Sequence, residues 1–145
     1  MSTLLNDVRQ EIVDFHNFFT AWFSGTAGRD QLDSEVVARF SAGMTFIPPE
    51  GVTLSAEQLV IGFQESYGAS ADFKIDIRDV AIRHVLDEHV MVTYTEWQRG
   101  AAAPSPALNA RQSSALLTKS KPFKWLHVQE TWLPEEVRAA GSFEF

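Results

Sequence analysis

The apolar residues of this chain follow two different periods, helical at its start and strand-like through its second half. Leu5, Val8, Ile12, Phe15, Phe19 and Trp22 recur at spacings of three and four, which places them on one face of an α-helix. From Phe73 onward the spacing becomes two: Phe73, Ile75 and Ile77 alternate with Lys74, Asp76 and Arg78, the pattern of a half-buried strand. Helices grouped ahead of hairpin-linked strands predict an α+β domain, not alternating βα units.

The segments between support that order. Leu32, Val36 and Phe40, spaced by four, predict a second helix over 31–40, with Asp30 or Asp33 as its cap. Met44 to Ile47 reads as a short strand stopped by Pro48 and Pro49. Ser55 followed by Gln58 is a capping box, and it opens a third helix through Leu59, Phe63 and Tyr67, closed by Gly68. Within the first long strand the apolar parity switches from Phe73, Ile75 and Ile77 to Val80 and Ile82. Such a slip predicts a β-bulge near Arg78 and Asp79 that bends the sheet.

Asp87-Glu88 turns the chain into a strand over 90–98, and an Ala/Pro-rich connection occupies 99–109. Residues 111–118 and 123–133 then form the last hairpin around 119–122. The tail from Pro134 either lies on the surface or docks through Phe143 and Phe145. A bulged antiparallel sheet wrapped around the long N-terminal helix makes a cone-shaped roll, with a cavity between helix and sheet.

The bulk properties narrow the class. A length of 145 residues suits one domain, 1–145, with 134–145 as its surface tail. Eleven Phe and four Trp supply either a large core or an aromatic-lined cavity. A net charge of −7 disfavours nucleic acid, and Lys119, Lys121 and Lys124 read as a solvated hairpin tip. Without Cys there is no disulfide, thiolate nucleophile or Cys-based zinc site. Asp7, Arg9, Glu11 and Asp14 exclude a signal peptide or membrane span over 1–23, so a cytoplasmic location is expected. The four His lack paired i,i+4 spacing, and no glycine-rich phosphate loop or nucleophile elbow occurs. Neither a metal nor a cofactor is expected.

The end of the chain carries a further signal. Arg111-Gln112-Ser113, followed by Phe123, Trp125, His127, Gln129 and Thr131 at alternate positions, resembles the last two strands of SnoaL-like and calmodulin-dependent kinase association-type domains. Those read Arg-x-Thr, a turn, then Trp-x-Ile-x-His-x-His-x-Ser. Phe123 stands in the Trp position, His127 in the first His, Gln129 in the second and Thr131 in the Ser. With the order helix, helix, strand, helix and four long strands, the chain resembles the nuclear transport factor 2-like superfamily, with its cystatin-like cone, over roughly residues 3–133. The superfamily's isomerases and cyclases use a buried Asp as general base, and the strand Met44–Pro49 has no carboxylate.

Hairpin symmetry about the last turn puts His127 opposite Ser113 and Gln129 opposite Arg111, with Thr95 and Trp97 beyond them. The family's His positions favour this odd-numbered face. A one-residue slip replaces it with Tyr94, Glu96, Gln112, Ser114 and Glu130. On the odd face His127 is the candidate acid/base and Arg111 the clamp for a carboxylate. Ser113, Gln129, Thr95, Trp97, Trp22 and Tyr67 are the other candidate ligand-binding residues. The plainer reading, which burial statistics favour, makes His127 a satisfied core histidine and Arg111 a rim ion pair.

Two functions follow. The first is a small-molecule-binding cavity with isomerase, dehydratase or cyclase-type chemistry on a small anionic or aromatic ligand. The second is a non-catalytic association module, a homodimer through an outer sheet face of Leu116, Leu126, Val128, Trp132 and Tyr94. The loop 100–109 reads as a hairpin connection, or as a lid or docking loop.

Overall fold

The N-terminal stripe forms α1 (Ser2–Ser24) in the computed structural model, which describes residues 2–145; Met1 lies outside it. Val8, Ile12, Phe15, Phe18 and Trp22 are buried along this helix. The predicted helix over 31–40 is broken instead. A four-residue α2 (Leu32–Glu35) sits between two 3-10 turns, Arg29–Gln31 and Val37–Arg39. Only Leu32 and Val36 are buried there, too little apolar face to hold a continuous helix. Phe40 therefore begins β1 (Phe40–Ile47), which is longer than the strand predicted from Met44.

A two-residue β2 (Leu54–Ser55) leads into α3 (Ala56–Glu65). Its capping box is complete: Gln58 N donates to Ser55 Oγ at 3.2 Å and Ser55 N donates to Gln58 Oε1 at 2.8 Å. Four long strands follow, β3 (Lys74–Val85), β4 (His89–Arg99), β5 (Asn109–Thr118) and β6 (Trp125–Trp132), and then α4 (Glu135–Ala140). All six strands join one sheet in the order β2-β1-β6-β5-β4-β3. The sheet is mixed, not antiparallel throughout, because β1 runs parallel to β6. Only strands separated by a long crossover can pair in parallel, and α3 and the intervening strands supply one here.

The predicted bulge is present. Register shifts between Arg78 and Ala81 of β3, and Asp79 takes φ +58°, a conformation that Asp tolerates better than most side chains. Thr95 Oγ1 lies 3.2 Å from the Arg78 carbonyl and 3.3 Å from Asp79 Oδ2, and Trp97 Nε1 donates to that same hydroxyl at 3.1 Å. A second shift, between Leu116 and Leu117 of β5, inserts one extra residue into β6 around Leu126. Together they curve the sheet around α1.

Glu11 of α1 anchors the helix to both ends of this arrangement. It accepts from Arg39 Nε at 2.9 Å and from Trp125 Nε1 at 2.8 Å. The basic hairpin tip is partly paired, Lys121 lying 3.2 Å from Asp7 and Lys124 Nζ donating to the Ala38 carbonyl. Among the described residues no helix is long and apolar enough to cross a membrane.

The tail docks on the outer face of β4. Phe143 meets the Trp97 ring edge-on at 5.3 Å, and Arg78 stacks on the same indole at 4.3 Å while donating to the Ser142 carbonyl. Gly141 lies flat against Trp97, so close that a Cβ there would sit 2.1 Å from the ring. Gly141→Ala is therefore expected to push the tail off Trp97 at a cost of about 1–3 kcal/mol. Urea unfolding followed by tryptophan fluorescence measures this; an unchanged midpoint would contradict the packing.

Candidate functional site

A cavity of about 470 Å³ lies between α1, α3 and the concave face of the sheet. Phe15, Phe19, Phe23, Phe63, Phe73 and Trp125 form much of its wall. Ala101 to Ser105 of the β4–β5 connection border it, while Ala102, Ala103 and Pro104 also remain exposed to solvent. Gly100 fixes the loop's departure: its φ is +69°, and a Cβ there would meet the Asp72 carbonyl oxygen at 2.4 Å.

The polar groups of the cavity come together from four elements. His16 of α1 places Nε2 3.1 Å from Glu96 Oε1 of β4, while its Nδ1 donates to the Ile12 carbonyl at 2.7 Å. Gln98 Nε2 donates to Glu96 Oε2 at 2.6 Å. On β5, Arg111 donates through Nη1 to Glu130 Oε1 of β6 at 3.0 Å and through Nη2 to Asn109 Oδ1 at 2.8 Å. Ser113 Oγ reaches Glu130 Oε2 only at 3.4 Å. Trp132 stacks beneath the Arg111 guanidinium at 4.8 Å, and the buried Arg111 Nε–H has no partner among the described residues.

Their partners set the two buried carboxylates apart. Desolvation, reinforced by the Glu96 charge, raises Glu130 from its ordinary 4.5 to about 7, against the pull of Arg111. Desolvation also pushes Glu96 upward, but the His16 charge and hydrogen bond, with Arg111 and Gln98, outweigh it and hold Glu96 at about 2. His16 is raised for the reciprocal reason: burial opposes its charge, and Glu96 overcomes the penalty. Both His16 nitrogens face acceptors, so the pair is an imidazolium beside a carboxylate. Burial, helped by the Glu96 and Glu130 charges, keeps the Tyr94 phenol protonated. Carboxylates separated in this way inside a cavity give one group that stays ionised and one able to carry a proton near neutrality.

The strand register decides which sequence candidates take part. Tyr94, not Thr95, lies opposite Ser113, and Trp132, not Gln129, lies opposite Arg111. Arg111 and Ser113 thus share the inner face with Tyr94, Glu96 and Glu130. His127 pairs with Leu116, does not border the cavity, and shares a 2.6 Å hydrogen bond with Thr45 Oγ1. Gln129 is exposed on the outside. Thr95 and Trp97 secure the β3 bulge and the tail. Trp22 donates to the Phe63 carbonyl at 2.7 Å, and Tyr67 donates to the Ala27 carbonyl at 2.5 Å. Neither borders the cavity: Trp22 ties α1 to α3, and Tyr67 ties the segment after α3 to the turn after α1. The odd-face assignment assumed a one-to-one residue count between strands, which the extra residue in β6 and the β4–β5 register remove.

Glu96 and Glu130 stood only on the alternative face of the sequence reading, and His16 was not joined to them, yet each left a signal. On a helical wheel His16 falls only about 20° beyond Leu5, at the edge of the apolar stripe. Within β4 the apolar parity is even, through Val90, Val92 and Tyr94, and Glu96 continues it. Ala115 and Leu117 of β5 are odd, which puts Arg111 inside, and Val128 of β6 is even, which puts Glu130 inside. Each strand's own parity locates the site; the comparison between strands misled.

No family model matches the sequence, and no curated protein matches it. Solved structures do. An NTF2-like protein of unknown function from Pseudomonas aeruginosa superposes with a TM-score of 0.79 at 26% identity, over 88% of this chain and 98% of that one. A protein with a cystatin-like fold from Caulobacter vibrioides gives 0.67 at 13% identity over 91% of each chain. A ketosteroid isomerase-like protein from Erwinia carotovora atroseptica gives 0.59 at 12% identity, over 90% of this chain and 96% of that one.

The buried charges carry a stability signature. Glu130 binds its proton more tightly folded than unfolded, so its contribution to stability falls as pH rises from 4.5 to about 7. His16, also raised, contributes fully below 6.5 and loses that contribution as pH rises through its folded value. Glu96, lowered, contributes above 4.5 and loses it as pH falls toward about 2. The melting temperature is expected to peak in mildly acidic solution and to decline toward alkaline pH. Glu130→Gln should flatten that decline by several degrees, and calorimetry across pH would show it.

Proposed function

We propose that this chain, a nuclear transport factor 2-like domain, binds a small organic ligand in the cone cavity and moves a proton on it, with Glu130 as the group that changes protonation. The observation that carries this reading is the meeting of His16, Glu96, Arg111 and Glu130 at the polar side of an aromatic-walled cavity. Aromatic area with a few convergent polar groups suits a drug-sized ligand. A buried carboxyl at about 7 is poised to give and take a proton at neutral pH.

The roles divide by geometry. Glu130 is the acid/base, and Arg111, with its unpartnered Nε–H, receives a negatively charged oxygen. Tyr94, which keeps its proton, is a second donor toward that oxygen. The His16–Glu96 pair is a fixed charge pair whose Glu96 carboxylate adds to burial in opposing the ionisation of Glu130, against a smaller opposite pull from His16. These roles serve an isomerase, dehydratase or cyclase-type reaction, each of which needs one positioned proton carrier.

Screening small aromatic and carboxylate compounds by thermal shift tests this. Compounds that stabilise the wild type are expected to keep their effect in His127→Ala. They should lose it in the charge-neutral double variant Arg111→Gln, Glu130→Gln. The reverse pattern would move the site to the outer face and sink the assignment.

A second reading, homodimerisation through the outer sheet face, rests on the pairing of Met91, 38% exposed, with half-buried Leu116 on that face. Its composition differs from the sequence expectation: Tyr94 and Val128 point into the core, and Trp132 lies on Arg111. Light scattering at micromolar concentration should return twice the chain mass, falling to one in Leu116→Glu. A wild-type monomer would refute it.

A further inference from the structure

The charges around the cavity balance among themselves before any ligand charge is added. His16 and Arg111 supply two positive charges, and Glu96 and Glu130 supply two negative ones when both are ionised. Tyr94 is the other titratable group among the cavity-lining residues, and it stays neutral. Glu50, in the segment after β1, adds a negative field at Arg111 from outside. A buried site of this kind accepts a further charge only if a proton moves with it.

Donors and acceptors say which charge fits. Of the five N–H groups of a guanidinium, Arg111 directs one at Glu130 and one at Asn109, and its buried Nε–H meets no acceptor among the described residues. Glu96 has both oxygens engaged at 3.1 and 2.6 Å, by a cation and an amide. Glu130 is held more loosely, by Arg111 at 3.0 Å and by Ser113 at 3.4 Å. Most of the remaining wall is aromatic, and Phe19, Phe23, Phe63 and Phe73 present no ionisable group to the cavity. A ligand's polar head therefore belongs on Arg111 and its apolar body against these rings.

We propose that the cavity takes an apolar-bodied monocarboxylate, head-down on Arg111, and that Glu130 takes up a proton as the ligand's carboxylate arrives. The proton comes from solvent and goes to a Glu130 oxygen, leaving the occupied site with two cations and two anions, neutral as before. Glu130 is the acceptor because Glu96 is pinned by the His16 charge, and its place near neutral titration makes the uptake inexpensive. This inference rests on the cavity being the ligand site.

Isothermal titration of the full chain with 2-naphthoate, 2-naphthamide and 2-naphthylmethylamine tests it, each in phosphate and in Tris at about pH 8 and about pH 6. Naphthoate is expected to bind tightest, with buffer-dependent enthalpies reporting uptake of about one proton at the higher pH and little at the lower. In Glu130→Gln it should still bind, without buffer dependence. Should that variant fail to fold, the two-buffer comparison on the wild type decides alone. Naphthoate binding with equal enthalpies in both buffers overturns the proton coupling. Tighter binding of the amide or amine overturns the carboxylate assignment while leaving the cavity a ligand site. No heat from any of the three overturns both readings.

Discussion

A carboxylate cannot be carried to the inside of a cone without a cation to meet it. Two are carried there, Glu96 on β4 and Glu130 on β6, and the placement of α1 and β5 answers to them. His16 of α1 meets Glu96 at 3.1 Å, and Arg111 of β5 meets Glu130 at 3.0 Å. The helix is thus held over the sheet by more than its apolar stripe. A rotation that moved His16 off Glu96 would strand a buried charge, a loss larger than most single packing defects.

The same constraint explains why the two carboxylates differ. Glu96 accepts from a cation and an amide, and burial is outweighed. Glu130 shares Arg111 with Asn109 and has only a long contact from Ser113, so burial dominates. One cluster therefore contains one carboxyl held low and one pushed toward neutrality, set by how many donors each strand brings to each oxygen.

The cavity itself follows from the bending of the sheet. The Asp79 bulge and the extra residue near Leu126 turn the strands around α1, and the aromatic rings of α1 and α3 line the space without filling it. On the convex side Thr95 and Trp97 secure the bulge, and the tail covers Trp97. Residues that looked like ligand contacts from the sequence are in this way structural supports for the curvature that makes the cavity.

What the sequence determined by itself was local. The period of α1, the Ser55–Gln58 capping box, the order of elements and the parity slip at Arg78 and Asp79 are all legible within a few residues, because each depends on backbone geometry that neighbouring side chains dictate. Even the inward parity of β4, β5 and β6 was written in Val90, Val92, Ala115, Leu117 and Val128. Only the tertiary structure decided how the strands align with one another and with His16. One extra residue in β6 reverses which side chains face each other across the hairpin, since successive strand residues point to opposite faces. That long-range count, invisible to any local period, moved the candidate site from His127 to His16, Glu96, Arg111 and Glu130.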